Sequence, residues 1–254
     1  MQKKKLNLVQ VVKEGFDIYK EKFKVLLAIS VIYFLVRLVP SAINHFAGGE
    51  GEAGGNVIVT LISSLLIWLI GLVFIYIQAK IIIAFYLCIS GSYTGQQIGL
   101  KESFSSPRKL VLRFLILVIQ LFAILVLPFI TLIAVYHLVE IVTLKYIIIA
   151  LLAALIVYLA GIYGLAPIIG ILEDQNYKQF SDSKKLVKDN VLKVIGLRYL
   201  GIIFSIPYYY YTFIFGGSDY LIYILNQFLF IFLTPLIYAI IVAMYYQLKE
   251  IAVN

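Results

Sequence analysis

The chain has 254 residues, 63% of them apolar and 13% charged, with a mean hydropathy of +1.00 and a formal net charge of +8. A soluble domain is about half apolar and a quarter charged, and one this greasy would expose apolar patches that soluble monomers rarely carry, so an ordinary soluble fold is excluded. The positive excess is assigned to topology, because cytoplasmic lysines orient polytopic membrane proteins, and no nucleic-acid partner is expected.

In lipid, every backbone polar group must be satisfied inside a helix or a closed barrel. The apolar runs here are long and lack the alternation of barrel strands. The expected class is therefore all-α integral membrane, a single domain over residues 1–254. Cys88 is the only cysteine, and His45 and His137 are far apart, so no disulfide, metal site or cofactor is expected. The first 24 residues hold seven lysines and three acids. That is unlike the short basic start of a signal peptide.

A spanning helix needs about 20 mostly apolar residues. In chain order, an amphipathic lead-in covers 9–23. Val9, Val12, Phe16, Tyr19 and Phe23 form its apolar face, and Lys13, Glu14, Asp17, Lys20 and Glu21 lie elsewhere. The first span is 24–43. After it comes the acidic, glycine-rich loop 47–55. The second span, 57–86, extends toward residue 90, about 50 Å at 1.5 Å per residue. It must tilt, kink or project, with Gln78 and Lys80 near the inner interface. Gly91–Gly95 reads as a turn in preference to a phosphate cradle. A basic segment, 101–113, leads into the third span at 110–136, and the fourth is 145–172. Segment 180–192 repeats the lead-in weakly, with Phe180, Leu186, Val187 and Val191 opposed to Lys184, Lys185, Lys188 and Asp189. The last spans are 193–214, ending near the aromatic run Tyr208–Tyr211, and 220–246.

Eighteen of the 21 lysines and arginines fall in residues 1–24, 101–113, 178–198 and at Lys249, whereas the intervening loops hold only Lys145. The positive-inside rule places both termini in the cytoplasm, and the expected location is a prokaryotic plasma membrane. Three stretches share one plan, a basic cluster, an apolar span and a proline at the same distance: Phe16–Pro40, Phe104–Pro128 and Ser183–Pro207. They predict three pseudo-repeats, at about 9–90, 98–172 and 178–250. Each is a transmembrane hairpin preceded by an amphipathic helix on the cytoplasmic face, six spans in all. Basic residues on such helices attract anionic lipid. Lys20, Lys24, Arg108, Lys109, Lys184, Lys185 and Lys188 are the candidates to face headgroups.

Several motifs carry a family likeness. Leu165-Ala-Pro-Ile-Ile, Leu172-Glu173 and Ser183-Lys-Lys-Leu-Val-Lys-Asp-Asn190 stand in the middle of the chain. Glu14-Gly-Phe-Asp-Ile-Tyr19-Lys-Glu-Lys-Phe23 opens it, and Ala243-Met-Tyr-Tyr246-Gln-Leu248 closes it. Together they resemble the glycerophosphodiester phosphodiesterase membrane-domain (YciC-like) family over the whole chain, with Glu173, Ser183 and Asn190 at motif positions. Lys184 stands where tryptophan is usual and Asp189 where glycine is usual. The resemblance implies a six-helix membrane domain. It does not imply phosphodiesterase activity, which belongs to a separate soluble domain.

Polar residues within spans are functional suspects. Lys80, Gln120, Asn226 and Gln227 are the intramembrane candidates, and the amides read first as bonds between helices. Arg37, His137 and Glu140 are placed near the outer face, where long side chains reach water. No catalytic motif of the HExxH, GxSxG or Walker type occurs, and no span holds an aspartate. The expectation is a non-catalytic protein that organises membrane lipids or a partner membrane protein through its basic helices. The alternative is a small channel or transporter with a polar path lined by the amides.

Overall fold

The computed structural model describes residues 5–47, 57–173, 178–200 and 220–253, with side chains at 5–38, 69–173, 178–200 and 228–253. These residues form ten helices and no strand: α1 (Leu8–Glu21), α2 (Phe23–Ala47), α3 (Val57–Thr94), α4 (Leu100–Phe104), α5 (Arg108–Leu138), α6 (Val142–Tyr163), α7 (Ala166–Leu172), α8 (Gln179–Val187), α9 (Val191–Arg198) and α10 (Tyr220–Val253). Four stretches among them are long and apolar enough to cross a bilayer: Leu69–Thr94, Arg108–Leu138, Val142–Leu172 and Phe228–Val253. The chain is a helical membrane protein. Of the other two predicted spans, 24–43 falls on α2, and 193–214 begins in α9 and continues outside the described residues.

Burial divides the long helices along their length. In α3, Leu69, Leu72, Val73 and Ile75 are exposed, whereas Ile81, Ile83, Ala84, Phe85, Cys88 and Ile89 are fully buried. α10 repeats the change, from exposed Phe228, Leu229 and Phe232 to buried Ala239, Val242, Ala243, Met244 and Leu248. α5 buries only Val111, Phe114 and Leu117 near its start, and α6 only Gly161 and Ile162 at its end. One end of the bundle is thus closed by protein, and the other halves present apolar side chains of the kind that suit acyl chains. The closing layer is a cap of short helices. α1 lies on α10, α4 on α3, α7 against α3, α5 and α8, and α8 and α9 on α6. The projecting end of α3 is therefore enclosed by the cap.

Three local features refine the sequence reading. First, α1 packs on protein through Val11, Gly15 and Ile18, and the stripe Val9, Val12, Phe16 is exposed. Gly15 makes this possible, because a Cβ there would stand 2.7 Å from Cα of Ile240. Second, Pro40, expected near the end of the first span, lies within α2, as Pro128 lies within α5; Pro207 lies outside the described residues. Membrane helices tolerate an internal proline where neighbours satisfy the freed carbonyl. Third, the span 145–172 is broken between α6 and α7, with Pro167 in the first turn of the new helix, where its missing N–H costs nothing.

The end of α3 settles the glycine-rich stretch. The helix runs through Thr94 and stops at Gly95, whose φ of 71° favours glycine. Gln96 N–H closes the turn on the Gly91 carbonyl at 3.0 Å. Groups presented by a helix C-terminus are carbonyl oxygens, which repel phosphate. The expected turn is thus shifted: Gly91–Thr94 belong to the last turn of α3, and the chain leaves the helix only at Gly95.

Candidate functional site

The residues that carry chemistry gather in the cap. Asn7 starts α1, its side chain accepting from Gln10 N–H at 3.3 Å. Burying Val11, Gly15 and Ile18 on α10 leaves Val9 78% exposed and Phe16 43% exposed on a second flank. The Lys20 ammonium sits 4.5 Å from the Phe16 ring centroid, and Tyr19 packs edge-on against Phe23 at 5.5 Å. Lys13, Lys20 and Lys24 are exposed.

Glu173, just past α7, makes two side-chain contacts within the cap. Its carboxylate accepts from the Tyr245 hydroxyl and pairs with Lys249 at 2.8 Å, tying α7 to α10. Burial pushes the carboxyl up, but the bonds from Lys249 and Tyr245 outweigh it and hold Glu173 below the ordinary carboxylate range. Next to Tyr245, Tyr246 stacks on Tyr93 of α3 with centroids 4.1 Å apart.

Ser183 is fully buried, and its hydroxyl donates to the Ile162 carbonyl, fastening α8 to α6. Asn190 occupies the N-cap of α9, yet its side chain makes no capping bond. Its Oδ1 instead accepts Leu6 N–H at 3.1 Å, and Lys193 Nζ donates to the Leu6 carbonyl. Both polar groups of a buried residue 184 positions away are answered by this one turn. The three motif residues are therefore all used in holding helices together.

The basic candidates remain at the surface. Arg108 and Lys109 are exposed in the first turn of α5. Cations there oppose the helix dipole, at a cost of about 0.3–1 kcal/mol each. Helix stability does not explain them. Lys184, Lys185 and Lys188 are exposed along α8 and its exit, with Lys185 paired to Asp182 at 3.6 Å. An exposed pair of this kind contributes little.

Among the intramembrane candidates, Lys80 is half-buried at the step where α3 passes from exposed to buried. Gln120 is exposed on α5, which corrects its reading as a bond between helices. The side chains of Asn226 and Gln227 lie outside the described residues. His137 and Glu140 sit exposed at the α5–α6 connection. Arg37 is exposed on α2, ten residues before the end of the helix, about 15 Å along the axis.

Two features escaped sequence reasoning. Arg198 Nη1 donates to the Ala160 carbonyl at 2.8 Å, filling the notch at Gly164 between α6 and α7. The Ala160 carbonyl already accepts Gly164 N–H at 3.0 Å, so the guanidinium is its second donor near the helix C-terminus, where a cation is favoured. The other is the Gly15 contact. Glycine within an otherwise periodic helix was its only signal.

No metal-binding group of three or more His, Cys, Asp or Glu side chains occurs among the described residues. The chain matches no family model, no curated protein and no solved structure.

Proposed function

We propose that this protein is a non-catalytic membrane module that organises anionic lipid at the cytoplasmic face of a prokaryotic plasma membrane. In this reading six spans form three hairpins, both termini are cytoplasmic, and the cap lies at the inner headgroups. The family likeness belongs to the same proposal. α2, 25 residues long, has the length for the first span, and α9 opens the fifth.

One observation carries the proposal, the charge arrangement around the free stripe of α1. At 100° per residue, Val9, Val12, Phe16 and Tyr19 centre roughly 110° from the packed stripe Val11, Gly15, Ile18. Lys13 and Lys20 border the free stripe on its other side, and Glu14, Asp17 and Glu21 lie further round. A helix with apolar groups toward acyl chains, lysines beside them and acids turned away suits an anionic interface. Arg108, Lys109, Lys184, Lys185 and Lys188 join the same layer. Glu173, Ser183 and Asn190 are engaged in helix packing, which supports a role without catalysis.

The test is lipid retention. Protein purified in mild detergent from mixed phosphatidylglycerol and phosphatidylcholine should keep the anionic lipid preferentially. Changing Lys184, Lys185 and Lys188 to Glu should lower that preference at least tenfold, since each basic residue contributes about 1 kcal/mol near a charged surface. An unchanged preference in a folded variant refutes the lipid role.

A further inference from the structure

Between α2 and α10, within the apolar part of the bundle, lies a narrow open crevice, about 200 Å³ when the space at its mouth is counted. Ser30, Tyr33 and Arg37 line it from α2, and Ile231 and Thr234 from α10. Ser30 is buried, and its hydroxyl has no hydrogen-bond partner among the described residues. Arg37 is exposed at the mouth, its guanidinium carbon 5.7 Å from the Tyr33 ring centroid. Helical side chains lean toward the N-terminus, so the guanidinium reaches back over Tyr33 toward Ser30. Among the described residues no carboxylate pairs with it.

The two unanswered groups select the ligand. A hydroxyl buried without a partner calls for one polar atom, and a water would supply it. A water leaves the guanidinium without a counter-charge among the described residues, in an apolar setting where isolated charge is disfavoured. An oxyanion answers both. The enclosed part of the crevice has room for about one water-sized atom, so one oxygen enters toward Ser30 and Thr234 while the others stay on the guanidinium fork, which suits carboxylate and phosphate. The surroundings add the second half of the specificity. Phe34 on α2 and Phe230 and Ile231 on α10 line the same crevice, an apolar wall for an acyl chain.

We infer that the Arg37 crevice binds a single anionic amphiphile, its oxyanion held by Arg37 with Ser30 and Thr234 and its chain lying along α2 and α10. A fatty acid carboxylate and a phospholipid phosphodiester share this chemistry. This site is separate from the cap lysines.

Native mass spectrometry of the full chain in mild detergent tests it, with oleate, phosphatidylglycerol and two neutral counterparts, oleyl alcohol and diacylglycerol. One equivalent of at least one anion should bind at least tenfold more tightly than its neutral counterpart. Tighter binding of oleate identifies the fatty acid as the source, and tighter binding of phosphatidylglycerol the phospholipid. R37Q should abolish the tenfold difference. S30A, T234V and R37K should each weaken binding at least threefold, the last because lysine keeps the charge but not the fork. Replacing Lys184, Lys185 and Lys188 with Gln should leave the single site unchanged. Equal binding of anion and neutral counterpart overturns the inference. So does loss of the site in the lysine variant, or wild-type binding in R37Q; if R37Q does not fold, wild-type binding in S30A, T234V and R37K together does the same.

Discussion

Gly15 offers a decisive perturbation, because two views of α1 predict opposite signs for Gly15→Ala. A helix lying alone in the headgroups gains about 1 kcal/mol of helix propensity from alanine. In the packed arrangement the new Cβ stands 2.7 Å from Ile240 Cα and 2.8 Å from its nitrogen, backbone atoms that cannot rotate aside. α1 must lift from α10. Val11 and Ile18, both buried, then lose part of the roughly 1.5–3 kcal/mol that each full burial contributes. Losing half of both and regaining the propensity leaves a net destabilisation of about 0.5–2 kcal/mol. Thermal unfolding in mild detergent should show a lower Tm, and trypsin should cut faster after Lys13 and Lys20. Ile240→Ala in the same background should not restore stability, since the obstructing atoms are backbone. Wild-type or higher Tm with unchanged cleavage would refute the packing of α1 on α10.

Other predictions concern the bonds that fasten the cap. Glu173 has a lowered folded-state pKa, so its contribution is present above the ordinary value of 4.5 and is lost as pH falls through the folded value. Glu173→Gln should accordingly flatten the decline of Tm between pH 7 and about 3, and parallel curves for variant and wild type would contradict this. Asn190→Ala leaves the buried Leu6 N–H without its acceptor, costing about 1–3 kcal/mol by thermal melting. Asn190→Asp, which keeps an acceptor, should recover most of that; an equal loss in both would dismiss the bond. At Gly164 a Cβ would fall 1.1 Å from Arg198 Nη1 and 2.4 Å from the Ala160 oxygen. Gly164→Ala should therefore destabilise strongly, and less so when Arg198 is already Ala, the remainder coming from Ala160. Additive penalties would count against the notch.

The helical membrane class was legible because apolar runs of twenty residues have few other uses in a sequence. Composition also marked the charged surface, since Lys184, Lys185 and Lys188 occur where packing has no use for them. What escaped was the choice between stripes on α1. Both Val9-Val12-Phe16 and Val11-Gly15-Ile18 satisfy helical spacing, and hydrophobicity alone favours the one with phenylalanine. Close approach decides otherwise, through a residue with no side chain. Pro128 lies inside the span read at 110–136, and α5 carries it internally. Among the polar motif residues, Glu173, Ser183 and Asn190 were found as a set, but their partners Lys249, Ile162 and Leu6 lie 76, 21 and 184 positions away. Pairings at such separations follow from the fold and leave no local pattern.

The placement of these bonds bears on how the proposed lipid role would operate. α1 is held on α10 through Gly15, at its entrance by Asn190 and Lys193 through Leu6, and near its exit by Ser92, whose hydroxyl donates to Glu21 at 3.4 Å. A helix needed only for packing would have no reason to keep a second apolar stripe beside lysines. A helix needed only for lipid would have no reason to carry glycine where its propensity is poorest. Both requirements are met when α1 is a rigid wedge between α10 and the headgroups. In the proposed role, binding energy gained at Phe16 and Lys20 would be transmitted to α10 through backbone contact, because packed interfaces shift between discrete arrangements and do not stretch. The Arg37 crevice lies on that same helix, lined by Ile231 and Thr234 about nine and six residues before Ile240. The proposed headgroup contact and the proposed amphiphile site thus share one rigid element, and α10 is the route by which occupancy of one would bias the other.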